Sequence, residues 1–342
     1  MELGRGILSF LSNKRRKERE KLFLKNGSVL LEALIVSCNG RCDIPIRNFS
    51  AKELIKATKN FEERLFCYSG YKGYFEGRPI MTRYFGPFYD YTREYYYCIN
   101  DIVYTSQMSH HKNVLKLLGC CLEFKVPALV YEYAGNYCLS NLLHDKSQND
   151  ISLSWKSRLR ISKDIANTVV YLHSAFSTPI IYNNLAPCNV IIDQSGVAKL
   201  FDFSLSMPLP PGESQVKVDC VCGKNSILAP EYVMHGILTE KCDVYSFGFL
   251  LLQLVTGQKN TYSLDYEEIP VRPSDYVKER QLNEVVDPRI LAEGGGIEQV
   301  QQLQDFVALA SRCIQKKPED RLEMIDVAKE LRRIERYVHT TN

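Results

Sequence analysis

The 342 residues carry 43 Lys and Arg against 40 Asp and Glu, a formal net charge of +3, and 45% of them are hydrophobic. That composition suits a soluble globular protein long enough for two packed lobes, and so small a charge argues against nucleic acid as a partner. Twelve cysteines are scattered along the chain, and none of the close pairs (Cys38/Cys42, Cys120-Cys121, Cys220/Cys222) has a second pair or a histidine at zinc spacing. Buried or surface thiols are therefore expected, in place of a disulfide framework or a metal site.

Residues 1–26 are polar and basic, with Lys14-Arg15-Arg16-Lys17 following Ile7, Leu8, Phe10 and Leu11, and read as a flexible extension. Residues 27–48 hold a flanking helix over Val29 to Val36, then a break and Ile44-Pro45-Ile46. Ser50 with Glu53 three positions on forms a capping box that starts a helix through Leu54, Ile55 and Ala57. The Tyr-, Phe- and Gly-rich stretch 62–85 predicts a small antiparallel sheet. A helix follows over 90–108, despite the weak propensity of Tyr95-Tyr96-Tyr97, then strands over Val114–Leu122 and Val126–Tyr133. Beyond residue 138 the pattern turns to long helices over 154–175, 241–257, 298–315 and 320–337. No apolar run is long enough to span a bilayer. A β-rich lobe over 49–133 followed by a helical lobe over 134–342 predicts an α+β, bilobal fold.

Four anchors stand in a telling order. Asp202-Phe203-Ser204 follows the strand-like Val197-Ala198-Lys199-Leu200, and Ala229-Pro230-Glu231 comes next. Asp243-Val244-Tyr245-Ser246-Phe247-Gly248 opens an apolar helix, and Arg321 closes Pro318-Glu319-Asp320-Arg321. This set resembles that of protein kinases over residues 49–338. The resemblance implies an activation segment over 202–231 and structural roles for Glu231, Asp243 and Arg321, with Arg321 paired to Glu231. Leu117 to Glu123 and Leu129 to Tyr133 look like the fourth and fifth strands and hinge of plant receptor-like kinases, with Tyr131 as gatekeeper.

Phosphoryl transfer is mostly positioning and charge neutralisation, so it needs few side chains. The loop where His-Arg-Asp is expected reads Tyr182-Asn183-Asn184-Leu185-Ala186-Pro187-Cys188-Asn189. Asn184 stands at the proton-acceptor position, and an amide is no base near neutral pH. Ala186 replaces the lysine that would steady the transferring group, and Asn183 replaces the arginine that would receive an activation-loop phosphate. Phe66 and Tyr68 stand where glycines should let backbone approach phosphates. The strand lysine is Arg83 and the helix glutamate is Asp101; the longer cation with the shorter carboxylate predicts an ion pair that keeps the architecture without the chemistry. No catalytic residue is expected. Arg83, Asp101, Tyr131, Asn189 and Asp202 are nucleotide-site remnants, and Asn189 with Asp202 are weak metal ligands. No cofactor is required, and any binding of ATP and Mg²⁺ is expected to be weak.

Asn26 to Glu32, Cys38-Asn39-Gly40, Ile44 to Ser50, Ile55 to Phe61, Asn100-Asp101-Ile102-Val103 and Gly119-Cys120-Cys121 together resemble the ZRK group of plant receptor-like cytoplasmic kinases. That resemblance implies a cytoplasmic pseudokinase, reaching the plasma-membrane periphery only through partners. It further implies an adaptor or decoy for a leucine-rich-repeat nucleotide-binding immune receptor, engaging bacterial effectors or a second receptor-like cytoplasmic kinase. Partner-facing candidates lie on the activation segment: Ser204, Ser206, Ser214, Lys217 and Lys224, around a rigid turn made by Pro208, Pro210, Pro211 and Gly212. A weakly active ATP-dependent Ser/Thr kinase is the alternative.

Overall fold

The computed structural model describes residues 2–37, 46–65, 69–85, 91–135, 137–144, 153–223, 227–258 and 282–336, the side chains of 2–13, 91–92 and 282–283 excepted. The chain divides into two compact units, residues 1–136 and 137–342.

The first unit comprises α1 (Glu2–Ser37), β1 (Arg47–Asn48), α2 (Ala51–Ala57), β2 (Gly70–Phe75), β3 (Arg78–Arg83), α3 (Tyr91–Gln107), β4 (Leu117–Cys121) and β5 (Ala128–Glu132). The strands form one sheet in the order β1-β4-β5-β3-β2. β1 runs parallel to β4, and the remaining pairs are antiparallel. The β2–β3 hairpin turns on Glu76-Gly77, both with positive φ, as a two-residue loop matching strand twist demands. α2 starts on the expected capping box: the Ser50 hydroxyl accepts from the Glu53 N–H, and the Ser50 N–H donates to Glu53 Oε2 at 2.7 Å. Its Leu54 is fully buried with Phe49, Ile80, Cys121, Ala128 and Val130 in the core behind the sheet.

The N-terminal reading needs correction. A single 36-residue helix replaces the expected flexible extension and separate flanking helix, so the boundary at residue 26 falls inside α1. Asn26 is fully buried, and its side-chain amide donates to the carbonyls of Leu122 (2.7 Å) and Phe124 (2.9 Å). Leu30 and Leu34, one and two turns on, are buried as α1 packs along α3. Asn26, expected at the end of a flexible extension, is thus a buried double donor, and the helix runs through it.

Gly119 explains how β1 reaches β4. A Cβ there would lie 2.1 Å from the Arg47 carbonyl oxygen and 2.7 Å from the Phe49 ring. Gly119→Ala is expected to push β1 off the sheet and lower stability by about 1–3 kcal/mol. A denaturant midpoint equal to that of the unaltered protein would refute the close-approach argument.

The second unit comprises α4 (Leu139–His144), α5 (Trp155–Ser174), β6 (Ile180–Ile181), β7 (Val190–Ile192), β8 (Ala198–Leu200), β9 (Met207–Pro208), β10 (Val216–Lys217), α6 (Pro230–His235), β11 (Ile237–Leu238) and α7 (Glu240–Thr256), then helices Leu282–Val285, Pro288–Leu291, Gly296–Cys313 and Met324–Arg336. Its short strands pair antiparallel as β6·β9, β7·β8 and β10·β11. α7 is apolar nearly all round and therefore buried, the expected fate of such a helix. Gly248 lets helix Gly296–Cys313 close on it, since a Cβ would meet Ile314 Cγ2 at 2.6 Å.

Arg158 on α5, which sequence reasoning passed over, is fully buried. It donates to the carbonyls of Leu153 (2.9 Å) and Leu254 (2.8 Å) and to Asp287 Oδ2 (2.6 Å). Arg289 also bonds Asp287, at 2.7 Å, and the Leu143 carbonyl. Among the described residues no helix is long and apolar enough to cross a membrane.

Candidate functional site

The residues expected from the sequence to be nucleotide-site remnants fall in both units, and each unit has its own geometry. In the first unit β3 ends on Arg83 and α3 presents Asp101. Arg83 Nη1 lies 2.8 Å from Asp101 Oδ2. Asp101 is fully buried, where a carboxylate stays charged only if well paired. Two hydroxyls complete the pairing: Tyr131 donates to Oδ2 at 2.7 Å and Thr105, one helical turn on, to Oδ1 at 2.8 Å. Arg83 Nε donates to Ser69 Oγ at 3.3 Å, and its guanidinium lies 5.0 Å from the Phe85 ring centre. The structure therefore brings Arg83, Asp101 and Tyr131 together, with β5 placing Tyr131 opposite Met81 on β3. Tyr131, expected from the sequence to be the gatekeeper, spends its hydroxyl on the α3 carboxylate and fastens β5 to the helix.

Ser69 and Thr105 are members the sequence reading missed. Thr105 carried a signal, since a hydroxyl four residues after an acid shares its helix face. Ser69 carried none. Phe66 and Tyr68 lie outside the described residues. On either side of them, Arg64 bridges Tyr71, the Leu65 N–H donates to the Gly70 carbonyl at 2.9 Å and the Lys72 N–H to the Glu63 carbonyl at 2.9 Å.

In the second unit the loop Tyr182 to Asn189 hangs from Asp243 on α7. That fully buried carboxylate accepts the backbone N–H groups of Tyr182 and Asn183, each at 2.8 Å, and His173 Nε2 lies 2.9 Å away. Asn183 adopts φ 55°, a left-handed conformation that asparagine tolerates better than most residues. Its amide turns inward and donates to the Tyr232 hydroxyl at 3.1 Å. The Tyr182 hydroxyl donates to the Phe201 carbonyl at 2.6 Å, and its ring meets Phe203 edge-on at 5.1 Å. An aromatic pair thus fixes the Asp-Phe-Ser element against the loop.

Asn184 Nδ2 donates to the Asp202 carbonyl at 3.0 Å, and Asn189 Nδ2 donates to the Asn184 carbonyl at 2.8 Å. One amide therefore ties the loop to the start of the activation segment, and the other braces the loop internally. Asp202 has φ 66°, and its Oδ1 accepts from the Ser204 N–H at 3.4 Å. Ala186, at the lysine position, is buried and brings no charge. Asp202 and Asn189 offer a carboxylate and an amide oxygen, the hard donors that suit Mg²⁺.

Arg321 and Glu231 form a two-pronged pair at 2.6 and 2.8 Å. Arg321 also donates to the carbonyls of Gln315, Lys241 and Lys316 and lies 4.7 Å from the Tyr245 ring. Burial there pushes the Tyr245 phenol up to about 12.

The partner-facing residues divide. Ser204 and Ser206 are only 5% and 2% exposed, so they are not surface groups. The Ser206 N–H donates to the Phe203 carbonyl and its hydroxyl to the Tyr182 carbonyl, which folds this end of the segment inward. Ser214 and Lys217 are exposed, and Lys224 lies outside the described residues. Pro210-Pro211-Gly212-Glu213 forms a turn closed by the Glu213 N–H on the Pro210 carbonyl at 3.0 Å, with Gly212 at φ 82°, the type II arrangement. β9 and β10, pairing with β6 and β11, tie the segment down on either side of this turn.

Residues 93–331 match the protein tyrosine and serine/threonine kinase family. The chain is 38% identical over 342 residues to Non-functional pseudokinase ZRK2 of Arabidopsis thaliana, covering 95% of this chain and 94% of the relative. It is 39% identical over 338 residues to Serine/threonine-protein kinase ZRK1 of the same plant, covering 94% and 95%. It is also 39% identical over 340 residues to its Non-functional pseudokinase ZED1, covering 95% and 99%. With its kinase anchors assembled in space and these similarities along nearly its whole length, the chain belongs to the protein tyrosine and serine/threonine kinase family and to the ZRK group within it.

Proposed function

We propose that the chain is a catalytically impaired pseudokinase acting as an adaptor or decoy for a leucine-rich-repeat nucleotide-binding immune receptor in plant defence. The observation that carries the impairment is Asn184. Its amide donates to the Asp202 carbonyl, so the proton-acceptor position is a structural donor and holds no base. Loss of a general base alone costs about 10²–10⁴-fold in rate, and Ala186 removes a positive charge besides. The names of two relatives, both non-functional pseudokinases, support the same reading. The scaffold is kept while the chemistry is lost: Asp243 and Arg321 retain full sets of partners, so the fold serves as a surface. That surface is the exposed turn with Ser214 and Lys217, which a bacterial effector or a second kinase would meet in the plant cytoplasm. Mg²⁺, if held by Asp202 and Asn189, would neutralise phosphate charge in a weakly bound nucleotide.

The second reading is a weakly active Ser/Thr kinase, favoured by the intact Arg83–Asp101 pair and by a relative named as a kinase. Purified protein with Mg²⁺-ATP and a generic acceptor protein separates the two. Phosphate incorporation is expected to match that of Asp202→Asn, a substitution that tolerates the left-handed backbone. Incorporation that disappears in Asp202→Asn would establish the kinase reading. Co-purification with a leucine-rich-repeat nucleotide-binding receptor tests the adaptor role, and failure to co-purify would overturn it.

A further inference from the structure

The activation segment carries a pair of thiols that neither reading uses. Among the described cysteines, Cys98, Cys120, Cys121, Cys138, Cys242 and Cys313 are buried. Burial pushes the thiols of Cys120, Cys121, Cys242 and Cys313 up to about 12, far from the reactive thiolate at neutral pH. Cys220 and Cys222 are different. Cys220 is exposed, Cys222 is half-buried, and their Sγ atoms lie 3.9 Å apart. Both lie in Cys220-Val221-Cys222-Gly223, where Gly223 takes φ 126°, a conformation a side chain would resist. A disulfide needs the sulfurs at about 2.05 Å, so they close by about 2 Å to form one.

The backbone that would move is not idle. The Cys222 N–H donates to the Tyr232 hydroxyl at 3.1 Å, and that hydroxyl donates to the Cys222 carbonyl at 3.4 Å. The same hydroxyl accepts from Asn183 Nδ2 in the loop Tyr182 to Asn189. The pair therefore sits on the exposed face of the segment and is wired through one tyrosine to the loop beneath it.

We propose that Cys220 and Cys222 form a reversible redox site whose oxidant is a hydroperoxide. One thiolate attacks the O–O bond of hydrogen peroxide, takes up one oxygen as a sulfenic acid and releases hydroxide, which is protonated to water. The second thiolate then attacks the sulfenic sulfur, the S–S bond forms, and the departing hydroxide is protonated to a second water. Two thiols give up two electrons and two protons; the peroxide accepts both. With the resolving thiol already adjacent, ring closure outruns further oxidation. Exchange with a thiol reductant reopens the bond, so in a reducing compartment the disulfide is a transient state.

The test uses the full chain, reduced, exposed to hydrogen peroxide, alkylated with N-ethylmaleimide and digested with trypsin. Both thiols fall in one peptide, Val218 to Lys224. Peptide lighter by two hydrogens and carrying no alkyl label is expected, with both labels returning after dithiothreitol. In Cys222→Ser the remaining Cys220 is expected to trap dimedone several-fold more than it does in the unaltered chain, because its sulfenic acid has no resolving partner. Full labelling of both thiols after peroxide, or sulfinic acid on either without the internal disulfide, or a disulfide joining two chains, would overturn the proposal.

Discussion

Asp101→Ala is expected to lower the free energy of unfolding by about 3–5 kcal/mol, the usual cost of removing one partner from a buried ion pair. The carboxylate is fully buried, and three side chains converge on it from β3, β5 and the next turn of α3. Its removal takes the carboxylate counter-ion from the mostly buried Arg83 cation, 12% exposed. It also takes from the buried Tyr131 hydroxyl the carboxylate to which it donates. Tyr131→Phe removes one neutral donor and is expected to cost less, about 1–3 kcal/mol. Denaturant titration of the two variants beside the unaltered protein measures both. If Asp101→Ala stayed within about 0.5 kcal/mol of the unaltered protein, as exposed ion pairs often do, the pair would have no architectural role.

Arg158→Ala should cost a similar amount, about 3–5 kcal/mol, because the guanidinium is wholly buried and satisfies two carbonyls as well as Asp287. Lysine is expected to recover only part of the loss, since a single ammonium cannot reproduce the planar fork. A pH signature accompanies the effect. Burial alone would raise the Asp287 carboxyl, but the hydrogen bonds from Arg289 and Arg158 outweigh it and hold the group below its ordinary 3.8. A depressed carboxyl contributes stability that is fully present above its unfolded-state value. That stability is lost as the pH falls through the lower folded-state value. Asp287→Asn should therefore flatten the acid limb of the stability profile below about pH 4. A profile unchanged in shape would show that Asp287 is not linked to folding.

Much of this architecture is written in short-range chemistry. The capping box at Ser50, the type II turn at Pro211-Gly212 and the apolar α7 all follow from residues within one or two turns of each other. The meeting of Arg83 with Asp101 is legible for another reason: both depart from the kinase pattern in ways that compensate in length. The missed features depend on register between distant segments. Tyr131 reaches Asp101 across 30 residues, and whether a tyrosine hydroxyl points to a helix or to solvent is set by strand pairing. Arg158 reads as one more charge on an amphipathic helix until the chain returns 129 residues later with Asp287. Ser204 and Ser206 look like surface serines because their type is polar, yet the Phe203 anchor draws them in.

Asn26 has a consequence for what counts as the folding unit. The match to the kinase family begins at residue 93, and the kinase-like pattern in the sequence begins at Phe49. A cut at either position would strip the donors from the Leu122 and Phe124 carbonyls and the cover that Leu30 and Leu34 give to α3. Helix α1 is in that sense a permanently bound ligand of its own lobe, attached by covalent linkage so that its local concentration never falls. Any change that peels it away is felt first at the β4–β5 turn.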